Sequence, residues 1–95
     1  MLVKVKYLAR AREISGVREE TVETSNPSTI MDLLTLLAEK HGEGMRDYLF
    51  NSTTGKPHTY LQFLLDGRSV HTMNQFDTML NDEATLVIVP PVSGG

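Results

Sequence analysis

The residues whose types and spacing could support chemistry stand at the end of the sequence, which reads Pro90-Pro91-Val92-Ser93-Gly94-Gly95. Two prolines in a row favour a stiff polyproline II segment, and neither can pair in a sheet, so the apolar strand before them ends at Val89. Gly94 and Gly95 carry no side chains, so they can thread a narrow channel where another protein's backbone approaches closely. We therefore predict a folded domain over residues 1–89 and a flexible tail over residues 90–95 that delivers the carboxylate of Gly95.

That carboxylate needs activation before it can react, because a carboxylate is a poor electrophile. Adenylation with ATP is the most economical route, and the sequence offers no means of its own to carry it out. A phosphate loop of the form Gly-x-x-x-x-Gly-Lys-Ser/Thr is missing, and Pro57 in Gly55-Lys56-Pro57 removes an amide that such a loop needs. We expect the chain to bind no cofactor, to lack catalytic activity alone, and to depend on an activating partner that uses ATP. The alternative is a frayed polar terminus with no such role.

The charge of the chain argues against nucleic acid as a partner. Nine Lys and Arg residues against twelve Asp and Glu residues give a net charge of −3, whereas nucleic-acid binding needs a basic face. After Arg68 the sequence has no Lys or Arg but carries Asp77, Asp82 and Glu83. We expect these three residues to form an acidic rim beside the tail, which would suit a basic partner by electrostatic steering. A solvated loop end without a partner is the alternative.

Composition restricts the other classes of function. The 95 residues are 40% hydrophobic, and a chain of this size makes one domain that buries roughly 60% of its unfolded surface. The sequence has no cysteine, which excludes disulfides, thiolate metal sites and a nucleophilic thiol of its own. A signal peptide is not evident, and no stretch approaches the ~20 apolar residues of a membrane span. We expect a cytoplasmic protein with no bound metal and no membrane contact.

Hydrophobic periodicity predicts five strands and one main helix. Residues 2–8 alternate with period two, and the lysines of this strand mark its outward face. Its inward positions are Val3, Val5 and Tyr7. Leu8 falls on the outward face, which makes it a candidate for contact with a partner. We predict a polar loop over residues 10–16 and a second strand over residues 17–23 that completes a hairpin.

The main helix begins after Thr29, which can cap it, and Asp32 suits the positive end of the helix dipole. An apolar stripe at i, i+3, i+4 and i+7 predicts a helix face that lies across a sheet. The stripe consists of Ile30, Leu33, Leu34 and Leu37. We interpret His41 as a residue of the last helical turn rather than a metal ligand, because no second ligand stands at metal spacing. Residues 44–50 form a short second helix in this interpretation.

The second half of the chain supplies the remaining strands. We predict a third strand over residues 59–65, ended by the hairpin-type pair Asp66-Gly67, a short return strand from Ser69, and a terminal strand over residues 84–89. Alternation in the terminal strand turns two side chains inward, Leu86 and Ile88, and two outward, Val87 and Val89.

Both ends of the sequence resemble the MoaD/ThiS family of sulfur carriers, which includes the archaeal ubiquitin-like modifiers. The tail, preceded by Leu80-Asn81-Asp82-Glu83, is similar to the C-terminal signature of that family. The segment Tyr7-Leu8-Ala9-Arg10-Ala11-Arg12-Glu13-Ile14-Ser15-Gly16 resembles the family's aromatic-x-Ala-x-x-Arg-Glu-x-x-Gly opening. The resemblance implies an α+β fold, a ubiquitin-like β-grasp in which a mixed sheet packs on one main helix and the terminal strand lies centrally beside the first.

The resemblance also implies which residues meet a partner. The partner-binding surface would comprise the outward apolar side chains at the root of the tail and the first part of the tail itself: Leu8, Val87, Val89, Pro90, Pro91, Val92 and Ser93. Gly95, with Gly94 before it, would carry the reacting acyl group. Arg12 and Glu13 either face the partner, as in the family motif, or form an exposed ion pair worth under ~1 kcal/mol.

A sulfur carrier is the function that the resemblance implies. An E1-like enzyme would adenylate Gly95, a persulfide sulfur would attack, and a MoaE-like large subunit of molybdopterin synthase would use the resulting thiocarboxylate in molybdenum cofactor biosynthesis. The alternative is a protein modifier, in which a lysine amine of a target protein captures the same acyl group; sulfur transfer to tRNA is a further alternative. A β-grasp interaction domain with an inert tail is the third.

Overall fold

The computed structural model describes residues 1–73 and 75–91. Its helices and strands are β1 Leu2–Tyr7, α1 Ala9–Ser15, β2 Glu19–Glu23, α2 Ile30–His41, α3 Glu43–Leu49, β3 Gln62–Leu65, β4 Arg68–Ser69 and β5 Thr85–Val89, with short 3₁₀ turns at Val70–Thr72 and Gln75–Asp77. Four residues of the predicted tail lie outside the described residues: Val92, Ser93, Gly94 and Gly95. Within the described ranges, no helix has the length and apolarity to cross a membrane, and the cytoplasmic location stays a prediction.

One five-stranded sheet contains every strand of the described residues, in the order β2-β1-β5-β3-β4. The terminal strand β5 lies in the middle, parallel to β1 and antiparallel to β3. In register, Val5 lies opposite Leu86, and Phe63 lies opposite Ile88. This is the mixed sheet that the sequence predicted, with the first and last strands as central neighbours.

The core lies between the sheet and α2, on the side chains that alternation predicted. Val3, Val5 and Tyr7 of β1 are fully buried, as are Leu86 and Ile88 of β5. The stripe of α2 covers them, and its four members are also at 0% exposure: Ile30, Leu33, Leu34 and Leu37. Full burial of a Leu or Ile side chain contributes about 1.5–3 kcal/mol, so this layer holds the helix across the sheet.

Helix α2 begins with a reciprocal pair of hydrogen bonds. The Asp32 backbone N–H donates to Thr29 Oγ1 at 3.1 Å, and the Thr29 backbone N–H donates to Asp32 Oδ2 at 2.9 Å. This capping box satisfies two of the amides that a helix start leaves without partners. The predicted cap at Thr29 is therefore confirmed.

The predicted loop over residues 10–16 is wrong, because residues 9–15 form the helix α1. Two apolar residues three apart explain this helix: Ala11 is fully buried, and Ile14 is half buried beside α3. Gly16 then ends it with φ 79°, a left-handed conformation that favours glycine, and its N–H donates to the Arg12 carbonyl at 2.9 Å. A helix of seven residues has too few apolar positions to show the repeating stripe that identifies a longer helix.

Several strands begin later than predicted. Strand β2 begins at Glu19 rather than at residue 17, and β3 begins at Gln62 rather than at residue 59. The residues left out of the strands include Val17 and Tyr60, whose exposed fractions are 42% and 53%. Residues of these types favour a strand in the sequence, but at these two positions no neighbouring strand among the described residues pairs with them. The turn at Asp66-Gly67 is confirmed, with φ of 51° and 83°, as a two-residue hairpin turn requires.

Candidate docking surface at the root of the tail

The tail and α1 leave the sheet at the same edge, because β1 and β5 are parallel. The last registered pair joins Tyr7 to Ile88. One residue further, Leu8 stays extended, with φ −121° and ψ 151°, and Val89 ends β5. The same register therefore continues toward Leu8 beside Val89, at the point where the chain turns to Pro90.

Four apolar side chains on the outward face of this edge are only partly buried, and we call them the root patch: Leu8, Leu64, Val87 and Val89. Val87 pairs with Lys6 on one side and with Leu64 on the other. The patch stands on the opposite side of the sheet from α2, because inward residues alternate with it along each strand. The structure thus brings together the three predicted apolar contacts; their role in partner binding stays a prediction.

Leu64 is a member of the root patch that sequence reasoning missed. Strand β3 buries Phe63 at 0% and Leu65 at 4%, so Leu64 between them must face outward. The signal was present, since three apolar residues in a row cannot all face one side of a sheet. In a continuous apolar run every residue is of a type found in the core, so the sequence does not show which one faces outward.

Arg12 is exposed on α1, at the same edge as the root patch. The predicted alternative of an Arg12–Glu13 ion pair is wrong, because Glu13 pairs with Arg10 instead, at 3.4 Å and with both side chains about 70% exposed. Residues three apart share a helix face, whereas adjacent residues do not. The tail begins with Pro90, which is half buried, and Pro91, which is exposed.

Two members of the predicted acidic rim, Asp82 and Glu83, do not lie beside the tail. Asp82 Oδ1 accepts the Leu2 N–H at 2.9 Å, and the Glu83 N–H donates to the Leu2 carbonyl at 2.7 Å. Both residues therefore stand where β1 begins, whereas the tail leaves where β5 ends, about 15 Å away at ~3.3 Å per residue. Asp82 and Glu83 are close to the tail in sequence, but the whole length of β5 separates them from it in the structure.

A partly buried polar cluster lies on the inward side of the same edge. Glu20 accepts hydrogen bonds from the Tyr7 hydroxyl, from Lys40 Nζ and from His41 Nε2, each at 2.5 Å. Burial alone would raise the pKa of Glu20, but the hydrogen bonds from Lys40, Tyr7 and His41 and the charge of His41 lower it to about 2. Burial raises the pKa of Tyr7, and its hydrogen bond to Glu20 raises it further.

This cluster joins β1, β2 and the end of α2, and it was not predicted. His41 is indeed in the last helical turn, but its side chain is only 13% exposed and lies against Glu20. The sequence signal was Glu20 itself, which alternation with Val22 places on the inward face of β2. An inward carboxylate requires partners, and Tyr7 is one of them. The cluster thereby fixes the strand end that carries Leu8.

Fold and docking surface together define a class of protein. A mixed sheet packed on one helix, with the terminal strand at its centre and a tail leaving from it, is a ubiquitin-like β-grasp. The crystal structure of SAMP1 from Haloferax volcanii is similar, with a TM-score of 0.87 at 23% identity and with 100% of each chain covered. The predicted fold is thus confirmed.

Sequence comparison identifies the family within this class. The model of the ThiS family matches residues 5–95, so the chain belongs to the ThiS family. Small archaeal modifier protein 3 of Haloferax volcanii is 27% identical over 95 residues, and the molybdopterin synthase sulfur carrier subunit of Chlamydomonas reinhardtii is 30% identical over 95 residues, each with 100% of both chains covered. This confirms the resemblance at the two ends of the sequence. The chain is a ubiquitin-like protein of the sulfur carrier and modifier family, whose members work with a partner protein.

Proposed function

We propose that this chain is a sulfur carrier whose reactive group is the carboxylate of Gly95. An E1-like enzyme activates it, and a MoaE-like large subunit uses its thiocarboxylate in molybdopterin synthesis. The observation that carries the proposal is the position of β5. This strand leads into the tail, lies at the centre of the sheet, and carries Val87 and Val89 of the root patch. The 30% identity to a molybdopterin synthase sulfur carrier subunit over both whole chains supports this pathway.

The proposed chemistry has three steps, all assisted by the partner. A Gly95 carboxylate oxygen attacks the α-phosphorus of ATP, which forms an acyl adenylate and releases pyrophosphate. The outer sulfur of a partner persulfide attacks the acyl carbon, and AMP leaves. A second partner thiol attacks the sulfur that came from the partner cysteine, which breaks the S–S bond, releases the Gly95 thiocarboxylate and oxidises the two partner thiols to a disulfide.

The chain itself contributes binding and delivery. The root patch lies along the last residues of β5, where Val87 pairs with Leu64, so docking there aims the tail in one direction. Pro90 and Pro91 have restricted φ angles, which limits the directions in which the rest of the tail can extend. Six residues, Pro90 to Gly95, extend at most about 20 Å. The acyl carbon then reacts as if in an intramolecular step, with the advantage that proximity provides.

Protein modification is the second candidate, and one observation favours it. The chain is 27% identical to small archaeal modifier protein 3 over both whole chains. In this case a lysine amine of a target protein attacks the acyl carbon of the adenylate, AMP leaves, and an isopeptide bond forms. The two candidates share the activation step and differ only in the nucleophile that follows.

Mass spectrometry of the protein isolated from its own host distinguishes the two. A C-terminal peptide with one oxygen exchanged for sulfur, without lysine conjugates, supports the carrier. Conjugates support the modifier, but trypsin leaves the whole segment Ser69–Gly95 on the target lysine, because Arg68 is the last basic residue. The search must therefore include that branch rather than a Gly-Gly remnant. A plain, unconjugated carboxylate under all growth conditions contradicts both.

A further inference from the structure

The net charge of −3 conceals two regions of opposite sign. Residues 1–19 carry five Lys and Arg side chains and two Glu side chains, which gives +3. Residues 20–95 carry four Lys and Arg side chains against ten Asp and Glu side chains, which gives −6. Charge asymmetry of this kind creates a potential that orients an approaching partner.

The fold places most of the positive region at the edge of the sheet that carries the root patch. Lys6 is exposed beside Val87 on the outward face. The Arg18 carbonyl accepts the Tyr7 N–H at 2.8 Å, which places Arg18 at the same edge. Helix α1 begins two residues after Tyr7 and supplies two more arginines. We call this set the basic rim: Lys6, Arg10, Arg12 and Arg18, all of them exposed.

The two carboxylates of the positive region neutralise only part of the rim. Glu13 pairs with Arg10, and Glu19 lies opposite Lys6 in the β1–β2 register. Arg12 and Arg18 take part in none of the ion pairs among the described residues. The rim thus keeps a surplus of two positive charges, and both belong to side chains that are free to meet a partner.

We propose that the root patch docks on an acidic partner surface, an apolar hollow bordered by Asp and Glu side chains. This rests on the proposed function, because the partner is the enzyme that activates Gly95. Apolar contact supplies the affinity, while opposite charges around it set the orientation and speed the encounter. A second copy of this chain that docks patch to patch is a poor occupant, since two basic rims would face each other. A basic partner, which the residues after Arg68 predicted, would face the same basic rim, so the proposal replaces that expectation.

ATP–pyrophosphate exchange tests the proposal, with the purified E1-like adenylating enzyme of the same host and this chain below saturation. The test variant is Arg12→Glu with Arg18→Glu. The matched control is Lys56→Glu with Arg68→Glu, which brings the net charge from −3 to −7 just as the test variant does but lies outside the rim. Thermal unfolding of both variants, together with Arg12→Gln and Arg18→Gln, checks that each remains folded.

We expect the test variant to lower kcat/KM by about 10- to 100-fold at low salt, mainly through KM, and the control to stay within about twofold. The defect of the test variant should shrink as salt screens the charges. Equal effects of the two variants, or a gain in the test variant, overturn the acidic partner surface while the proposed function stands. If the unmodified chain supports no exchange, the activation step of the proposed function fails instead.

Discussion

Lys6 and Val87 lie side by side on the outward face of the parallel strands β1 and β5. One residue before each, Val5 and Leu86 are both at 0% exposure on the inward face. The same two strands therefore provide the core on one side and the docking surface on the other. Substitutions on the two faces should separate folding from partner binding.

Leu8 gives the clearest separation, because it is the N-cap of α1 and its side chain makes no capping hydrogen bond. Leu8→Asp removes an apolar contact from the root patch but supplies a favoured N-cap side chain, so we expect the free energy of unfolding to change by less than ~1 kcal/mol. Adenylation by the partner should fall at least about tenfold in kcat/KM. Leu8→Met is the matched control and should remain active. A large loss of stability in urea would show that Leu8 belongs to the core.

Changes in the tail should leave the stability of the fold nearly unchanged but abolish activity. Deleting Gly95, or appending one residue after it, removes or displaces the reacting carboxylate, so we expect no pyrophosphate exchange from either variant. The melting temperature should stay within about 1–2 °C of the original, because Ile88 is the last buried residue in the part of the chain that the structure describes. Circular dichroism during heating and the exchange assay provide the two measurements. A truncated chain that is fully active would contradict both proposed functions.

Glu20→Gln should destabilise the fold. The side chain keeps its shape but loses its charge, and His41, which is only 13% exposed, is left without a charged partner. We therefore expect a loss of about 1–3 kcal/mol in the free energy of unfolding. Glu19→Gln, one residue earlier and exposed on the opposite face, should stay within ~0.5 kcal/mol. Urea denaturation of both variants measures the difference. Equal values would mean that the cluster does not contribute to stability.

Acid should remove the contribution of Glu20 over a defined window. Its pKa is lowered from 4.5 to about 2 in the folded protein, so the stability that the ionised carboxylate provides is complete above pH 4.5 and is lost as the pH falls toward 2. We expect the free energy of unfolding to decline more steeply in this window for the original chain than for Glu20→Gln. Parallel curves for the two proteins would contradict the assignment.

Two glycines in neighbouring helical segments should respond to alanine in opposite directions. Gly16 has φ 79°, and the space that a Cβ would occupy there is open, so Gly16→Ala should cost about 1 kcal/mol through backbone strain alone. Gly44 lies within α3, and an added Cβ meets Ile14 Cγ2 at 3.6 Å, an ordinary contact. Gly44→Ala should therefore stabilise by about 0.5–1 kcal/mol. Chemical denaturation of the pair gives both signs in one comparison.

Sequence reasoning succeeded where a long pattern repeats. The stripe from Ile30 to Leu37 and the alternation in β1 and β5 each involve several residues, so one exception changes little. It failed at α1, where only Ala11 and Ile14 indicate a buried helix face.

For the docking surface, the three apolar residues nearest the tail could be predicted because alternation assigns each a face. The charges around them could not. Asp82 and Glu83 are near the tail in sequence but lie at the other end of a strand, while Arg18 is distant in sequence and lies beside Tyr7. Glu20 and His41 meet only through the crossing of a strand and a helix, which no local pattern reveals.

The central position of β5 also determines how the fold resists a mechanical force applied to the tail. A force drawing the tail along its strand axis acts parallel to β1 and β3, so the hydrogen bonds on both sides of β5 are loaded in shear and share the force at once. They do not open one after another, as they would at the end of a hairpin. A partner can therefore draw the tail into a channel, or withdraw from it, without peeling the last strand from the sheet.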